Sequence, residues 1–90
     1  MIRAERLSGG LMVAGHAGLA PRGQDLVCAA VSILTETLGA VLPPEASQME
    51  DGFAAFHFTE PCPEAEFACS GLKLLEKAYP SCVCFQDKRR

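Results

Sequence analysis

The chain has 90 residues, enough for one domain over residues 1–90 but few enough that its apolar core is marginal. With 8 Lys and Arg against 11 Asp and Glu, a net charge of −3 and a pI near 5.2, it lacks the cationic field that a phosphate backbone requires; stable nucleic-acid binding is disfavoured, and Lys88, Arg89 and Arg90 read as a solvated end. The 5 cysteines, an odd number, behind an N-terminus with no signal-like apolar segment predict reduced thiols in the cytoplasm, and the longest apolar run, Leu26 to Leu34, is well short of the ~20 residues of a membrane span.

From the N-terminus, Met1 to Leu7 alternates apolar Ile2 and Ala4 with charged Arg3 and Glu5, and Leu11 to Ala14 is apolar. Ser8-Gly9-Gly10 between them supplies the backbone freedom of a tight turn, so the spacing predicts a hairpin with His16 just past the end of its second strand. Ala17 to Gln24 contains Gly18, Pro21 and Gly23 and reads as a loop. It is long enough for the chain to double back and bring His16 towards the segment that follows. It is also a candidate lid over an extended ligand, with Arg22 at its tip able to meet an acidic group.

A helix should begin after Asp25, whose carboxylate can accept a bond from a backbone N–H one turn in. Cys28 then occupies the third helical position, where unpaired N–H groups and the positive end of the helix dipole favour a thiolate. Leu26, Val27, Ala30, Val31, Ile33, Leu34, Leu38, Val41 and Leu42 cover most of the helix circumference, and Asp25, Cys28, Ser32, Thr35, Glu36 and Gly39 fall on one narrow stripe expected to avoid the core. So much apolar surface on so short a chain predicts a homodimer. Pro43-Pro44 should end the helix near Gly39 to Leu42.

Beyond a connector at Glu45 to Ser47, a short strand at Gln48 to Glu50, a turn at Asp51-Gly52 and a strand at Phe53 to Thr59 form a second hairpin. In it Ala54, Phe56 and Phe58 share one face and Phe53, Ala55 and His57 the other. Glu64 to Tyr79 reads as a second helix, buried along Ala65, Ala68, Leu72, Leu75 and Tyr79 and wet along Glu66, Ser70, Lys73 and Lys77, and Cys82 to Gln86 as a last strand. The expected fold is α+β and two-layered, a mostly antiparallel sheet with two helices in the order ββαββαβ. Cys62, Cys69, Cys82 and Cys84 show no metal-knuckle spacing, so they read as packing thiols; no metal and no cofactor is expected.

A cysteine flanked by Val27, Ala29 and Ala30 would ordinarily be a core residue. The cap, the stripe and the preceding His argue instead for chemistry: a Cys28 thiolate attacks a carbonyl while His16 carries the proton and returns it to the leaving amine. Asp25 and Ser32 flank the thiol at one-turn spacings as supporting groups, and the backbone N–H groups of the Gly23 to Cys28 turn, with the Gln24 side chain, are the candidate oxyanion donors. His57 is the rival base.

Gly15-His16-Ala17, a Gly-bearing loop, then Gly23, Asp25, Val27-Cys28-Ala29-Ala30 and Ser32 resemble the signature of the ribosomal-processing cysteine proteases, a small bacterial family. The resemblance implies a His16–Cys28 dyad. It also implies a homodimeric α/β fold and a loop including Ala17, Gly18, Pro21, Arg22 and Gly23 that closes over substrate. The implied substrate is the N-terminal extension of a large-subunit ribosomal protein, the twenty-seventh of the L series, with apolar residues before the cut. The alternatives are a thiol peptidase acting on another substrate and a non-enzymatic dimeric module that binds a ribosomal protein.

Overall fold

The computed structural model describes residues 1–16 and 25–89. The chain forms strand β1 (Ile2–Leu7), strand β2 (Gly10–Ala14), helix α1 (Leu26–Val41), a 3-10 turn (Pro44–Ala46), strand β3 (Ser47–Glu50), strand β4 (Phe53–His57), helix α2 (Pro63–Ala78) and strand β5 (Val83–Asp87). This is the predicted ββαββαβ order. The sheet runs β3-β4-β2-β1-β5, antiparallel throughout except for the parallel β1–β5 pair.

Register explains why one face of this sheet is apolar. Ala4 pairs with Val13 and Val13 with Ala54, Leu11 pairs with Phe56, and Ile2 pairs with Val83, so the buried residues of four strands fall in rows on one side. Against that side α1 places Val27, Val31 and Leu38, and α2 places Ala65, Ala68, Cys69 and Leu72. Arg3, Glu5, Met12 and Gln48 line the opposite side. A shortest extent of 16 Å leaves room for one sheet and one helical layer, and among the described residues no third layer covers the outer sheet face.

Three sequence-based expectations change. The α1 stripe does not avoid the core as a unit: Asp25 and Thr35 are buried, and Cys28 is half-buried against core residues. Thr35 can face inward because its hydroxyl donates to the carbonyls of Val31 and Ser32, both at 3.1 Å. Leu26, Ile33 and Val41, read as part of a broad apolar circumference, are instead 76%, 64% and 56% exposed. Tyr79 caps α2 and is exposed rather than completing its buried stripe, because the chain leaves the helix at that residue. Cys62, Cys69 and Cys82 are buried, and burial pushes the Cys69 thiol above its ordinary range, consistent with packing thiols.

A charged staple holds one end of the sheet. The wholly buried Arg6 guanidinium donates to Glu60 Oε1 at 2.6 Å, to Glu66 Oε1 at 3.3 Å, to the Gly10 carbonyl at 3.2 Å and to the Leu7 carbonyl, and it lies 4.7 Å from the centre of the Phe58 ring. Glu60 in turn accepts from the Gly9 N–H at 3.0 Å, which ties the β1–β2 turn to the segment entering α2. Burial works against the Arg6 charge, but hydrogen bonding to Glu60, its attraction and the Glu66 bond prevail and hold the pKa above its ordinary value.

Hydrogen bonds hold Glu60, chiefly from Arg6, and Glu66, chiefly from Arg89, which donates to its Oε2 at 3.0 Å, below the ordinary carboxylate value of 4.5. A carboxylate whose pKa falls on folding contributes stability above its unfolded pKa, and that contribution is lost as pH drops through the folded value. Stability followed by circular dichroism should therefore decline as pH falls below about 4.5. In Glu60→Gln that acid-dependent decline should be shallower; an unchanged profile would show that the pair contributes nothing to it.

Candidate functional site

Of the predicted site residues, His16 lies just after β2 and Cys28 in the first turn of α1. Asp25 is the N-cap of α1, in extended backbone, and its Oδ1 accepts from the Val27 and Cys28 N–H groups, each at 3.0 Å. This fixes the first turn and places Cys28 at the third helical position, as the sequence predicts. It also corrects one expectation. The Val27 and Cys28 N–H groups, candidates for an oxyanion hole, already donate to Asp25, so they are engaged in capping.

His16 follows β2 by two residues, and its position is set by glycines. Gly15 has φ of +106°, and a Cβ there would run into the Met1 carbonyl, so only glycine lets the chain leave the sheet at this point. The Gly15 N–H donates to the Gly52 carbonyl at 2.9 Å, tying the exit of β2 to the β3–β4 turn. The exposed His16 ring then lies against Gly52 itself: a Cβ built on Gly52 would sit 2.8 Å from His16 Nε2 and 3.3 Å from Cε1.

Between α1 and this turn runs an open groove of about 510 Å³, lined by Gly15, Ser32, Glu36, Glu50, Asp51 and Gly52 among others. That volume suits several side chains of an extended peptide. Ser32 lies one helical turn beyond Cys28, and Gly15 immediately precedes His16, so a neighbour of each predicted catalytic residue lines the groove. Ser32 and Glu36 are exposed along the same stripe on which Asp25 and Thr35 are buried and Cys28 and Gly39 half-buried. The polar stripe thus divides between the core and the groove.

Ala17, Gly18, Pro21, Arg22, Gly23 and Gln24, the predicted substrate loop with its side-chain oxyanion donor, lie outside the described residues. His57 is set apart from the site. It is exposed at the end of β4 that pairs with Gly10, on the outer face with Phe53 and Ala55. The register places it four strand positions, roughly 13 Å, from the Phe53 end beside which His16 emerges. Sequence reasoning treated Asp51-Gly52 only as a turn and missed that it faces His16. The signal was present in the strand lengths: pairing Ala14 with Phe53 brings the turn before Phe53 beside the residues after Ala14.

Comparison with known proteins bears on this arrangement. The family model described as Cysteine protease Prp matches residues 1–84. No curated protein matches the chain. Among solved structures, that of an essential ribosomal processing protease Prp from S. aureus with a covalently linked product peptide superposes with a TM-score of 0.82 at 17% identity, covering 98% of this chain and 100% of that one. The same S. aureus protease with a substrate peptide gives a TM-score of 0.79 at 15% identity, with 98% and 100% covered. SMU.848 from Streptococcus mutans gives 0.73 at 27% identity, covering 100% of this chain and 96% of that one.

Proposed function

The chain belongs to the cysteine protease Prp family, and from that premise we propose that it is a ribosomal-processing endopeptidase in which Cys28 is the nucleophile and His16 its acid–base partner. The reading is supported by the place of Cys28 in the first turn of α1, capped by Asp25, with the groove-lining Ser32 one turn further along the helix. The thiolate attacks the scissile carbonyl and the C–N bond breaks as His16 delivers the proton to the leaving amine. A water molecule, deprotonated by His16, then hydrolyses the acyl-enzyme thioester and releases the thiol. Asp25 supports the nucleophile by fixing the first helical turn, and Ser32 presents a hydroxyl one turn further along the groove.

The proposed substrate is the N-terminal extension of the twenty-seventh L-series protein of the large subunit. Ala17 to Gly23 would close over it, and Gln24 or neighbouring N–H groups would serve the oxyanion. The S. aureus relative, whose structures hold substrate and product peptides, supports an extended peptide as ligand. No described helix is long and apolar enough to cross a membrane, and action in the cytoplasm is proposed from the ribosomal-processing role. A homodimer is proposed from the outer faces of the helices, where Leu26, Ile33, Phe67 and Leu74 are each more than 60% exposed and spaced one heptad apart on their own helix. Family membership removes the non-enzymatic binding module as a reading.

The test is to incubate the protein with the host's ribosomal protein carrying its intact N-terminus, and with an unrelated unfolded protein, and to follow both by mass spectrometry. A single N-terminal fragment lost from the ribosomal protein alone is expected. Cleavage only of the unrelated protein would instead make this a thiol peptidase with another substrate.

A further inference from the structure

We propose that Gly52 is a positioning residue for the reaction: the missing side chain at this turn is the seat of the His16 imidazole, and the turn sets the direction from which the ring meets Cys28. The proposal rests on the reading of His16 as the acid–base group.

Two contacts converge on this one residue. The Gly52 carbonyl accepts the Gly15 N–H at 2.9 Å, which fixes the backbone immediately before His16. The Gly52 Cα surface receives the ring itself, because the space a Cβ would fill is taken by Nε2 at 2.8 Å, Cε1 at 3.3 Å and Cδ2 at 3.6 Å. Real Cβ atoms do not approach ring atoms so closely, so any side chain at residue 52 must push the imidazole away. The ring is exposed. Gly52 also has φ of +75°, which lets the hairpin turn bring its backbone this close.

Proton transfer is sensitive to such displacement, since a misplacement near 1 Å can cost on the order of 10²-fold in rate. Gly52 itself lines the groove beside Ser32, Glu36 and Glu50, and a single added methyl changes little of the surface that would hold a peptide. Gly52→Ala is therefore expected to lower kcat by about 10- to 100-fold while KM stays within about threefold. It should also shift the pH profile of Cys28 alkylation by iodoacetamide, because the imidazolium that pairs with the thiolate has moved.

Backbone strain is separated by Gly9→Ala. Gly9 has a similar φ of +67° in the β1–β2 turn at the other end of the sheet, and a Cβ there would also press on the Phe58 carbonyl at 3.1 Å, so this variant carries backbone strain away from the groove and should keep parent kcat. If Gly52→Ala does not fold, Gly52→Asn carries the same Cβ on a residue that tolerates positive φ, and the same kcat loss is expected. His16→Ala separates this proposal from the reading beneath it: retention of parent activity there would overturn the dyad. With His16→Ala inactive, a Gly52 variant that keeps parent kcat and an unmoved alkylation profile, or that loses no more than Gly9→Ala, would overturn the role of Gly52 alone.

Discussion

Cys28→Ala is expected to lose peptide cleavage by on the order of 10⁴-fold or more, measured as fragment released per hour at saturating substrate. Nothing else among the described residues is placed to replace the thiol. Cys62, Cys69 and Cys82 are buried in the core, and burial works against ionisation of Cys69. Cys84 sits on β5, two strands away from the β2 end where His16 emerges. His16→Ala should cost less, on the order of 10²- to 10⁴-fold, because general acid–base assistance lowers a barrier that a thiolate can still cross. Both variants should remain folded: Cys28 is only half-buried and His16 is exposed. A Cys28→Ala protein that cleaves at the parent rate would place the nucleophile elsewhere.

Arg6→Met should be the most damaging substitution to stability, costing about 3 kcal/mol. The methionine fills much of the aliphatic space, so the cost comes from charge-assisted hydrogen bonds rather than from a cavity. Two carbonyls, of Leu7 and Gly10, lose their donor, and Glu60 and Glu66 lose a buried cation. Their carboxylates remain 37% and 49% exposed and can return to water, which keeps the cost at the lower end of the range for breaking a buried pair. For a domain this small, about 3 kcal/mol lowers Tm by roughly 12–24 °C in a thermal melt followed by circular dichroism. Arg6→Lys should recover little of it, because one ammonium cannot serve four acceptors in different directions. A Tm within about 3 °C of the parent for Arg6→Met would refute the staple.

Much of this architecture is legible in the sequence because its signals are local. Alternation and Gly-bearing turns mark both hairpins, Asp25 marks the start of α1, and Pro43-Pro44 marks its end. What is not legible depends on contacts between distant segments. Arg6 sits in an ordinary-looking alternating strand, and its burial becomes possible only when Glu60 and Glu66, more than fifty residues away, arrive beside it. The α1 stripe divides because Thr35 satisfies its hydroxyl within its own helix and can therefore pack inward, whereas the chemically similar Ser32 stays at the groove. For the site, residue types and spacing point to Cys28 and His16. The role of Gly52 depends on strand register, and the engagement of the Val27 and Cys28 N–H groups depends on how the Asp25 side chain turns.

The assignment of the nucleophile is tested most directly with a peptide chloromethyl ketone whose residues before the warhead are apolar, followed by digestion and mass mapping of the modified residue. A single thioether on Cys28, formed with loss of chloride and formed far more slowly in His16→Ala, is the expected result. An adduct on Cys84 or on one of the buried cysteines while Cys28 stays unmodified would contradict the assignment of Cys28 as the nucleophile.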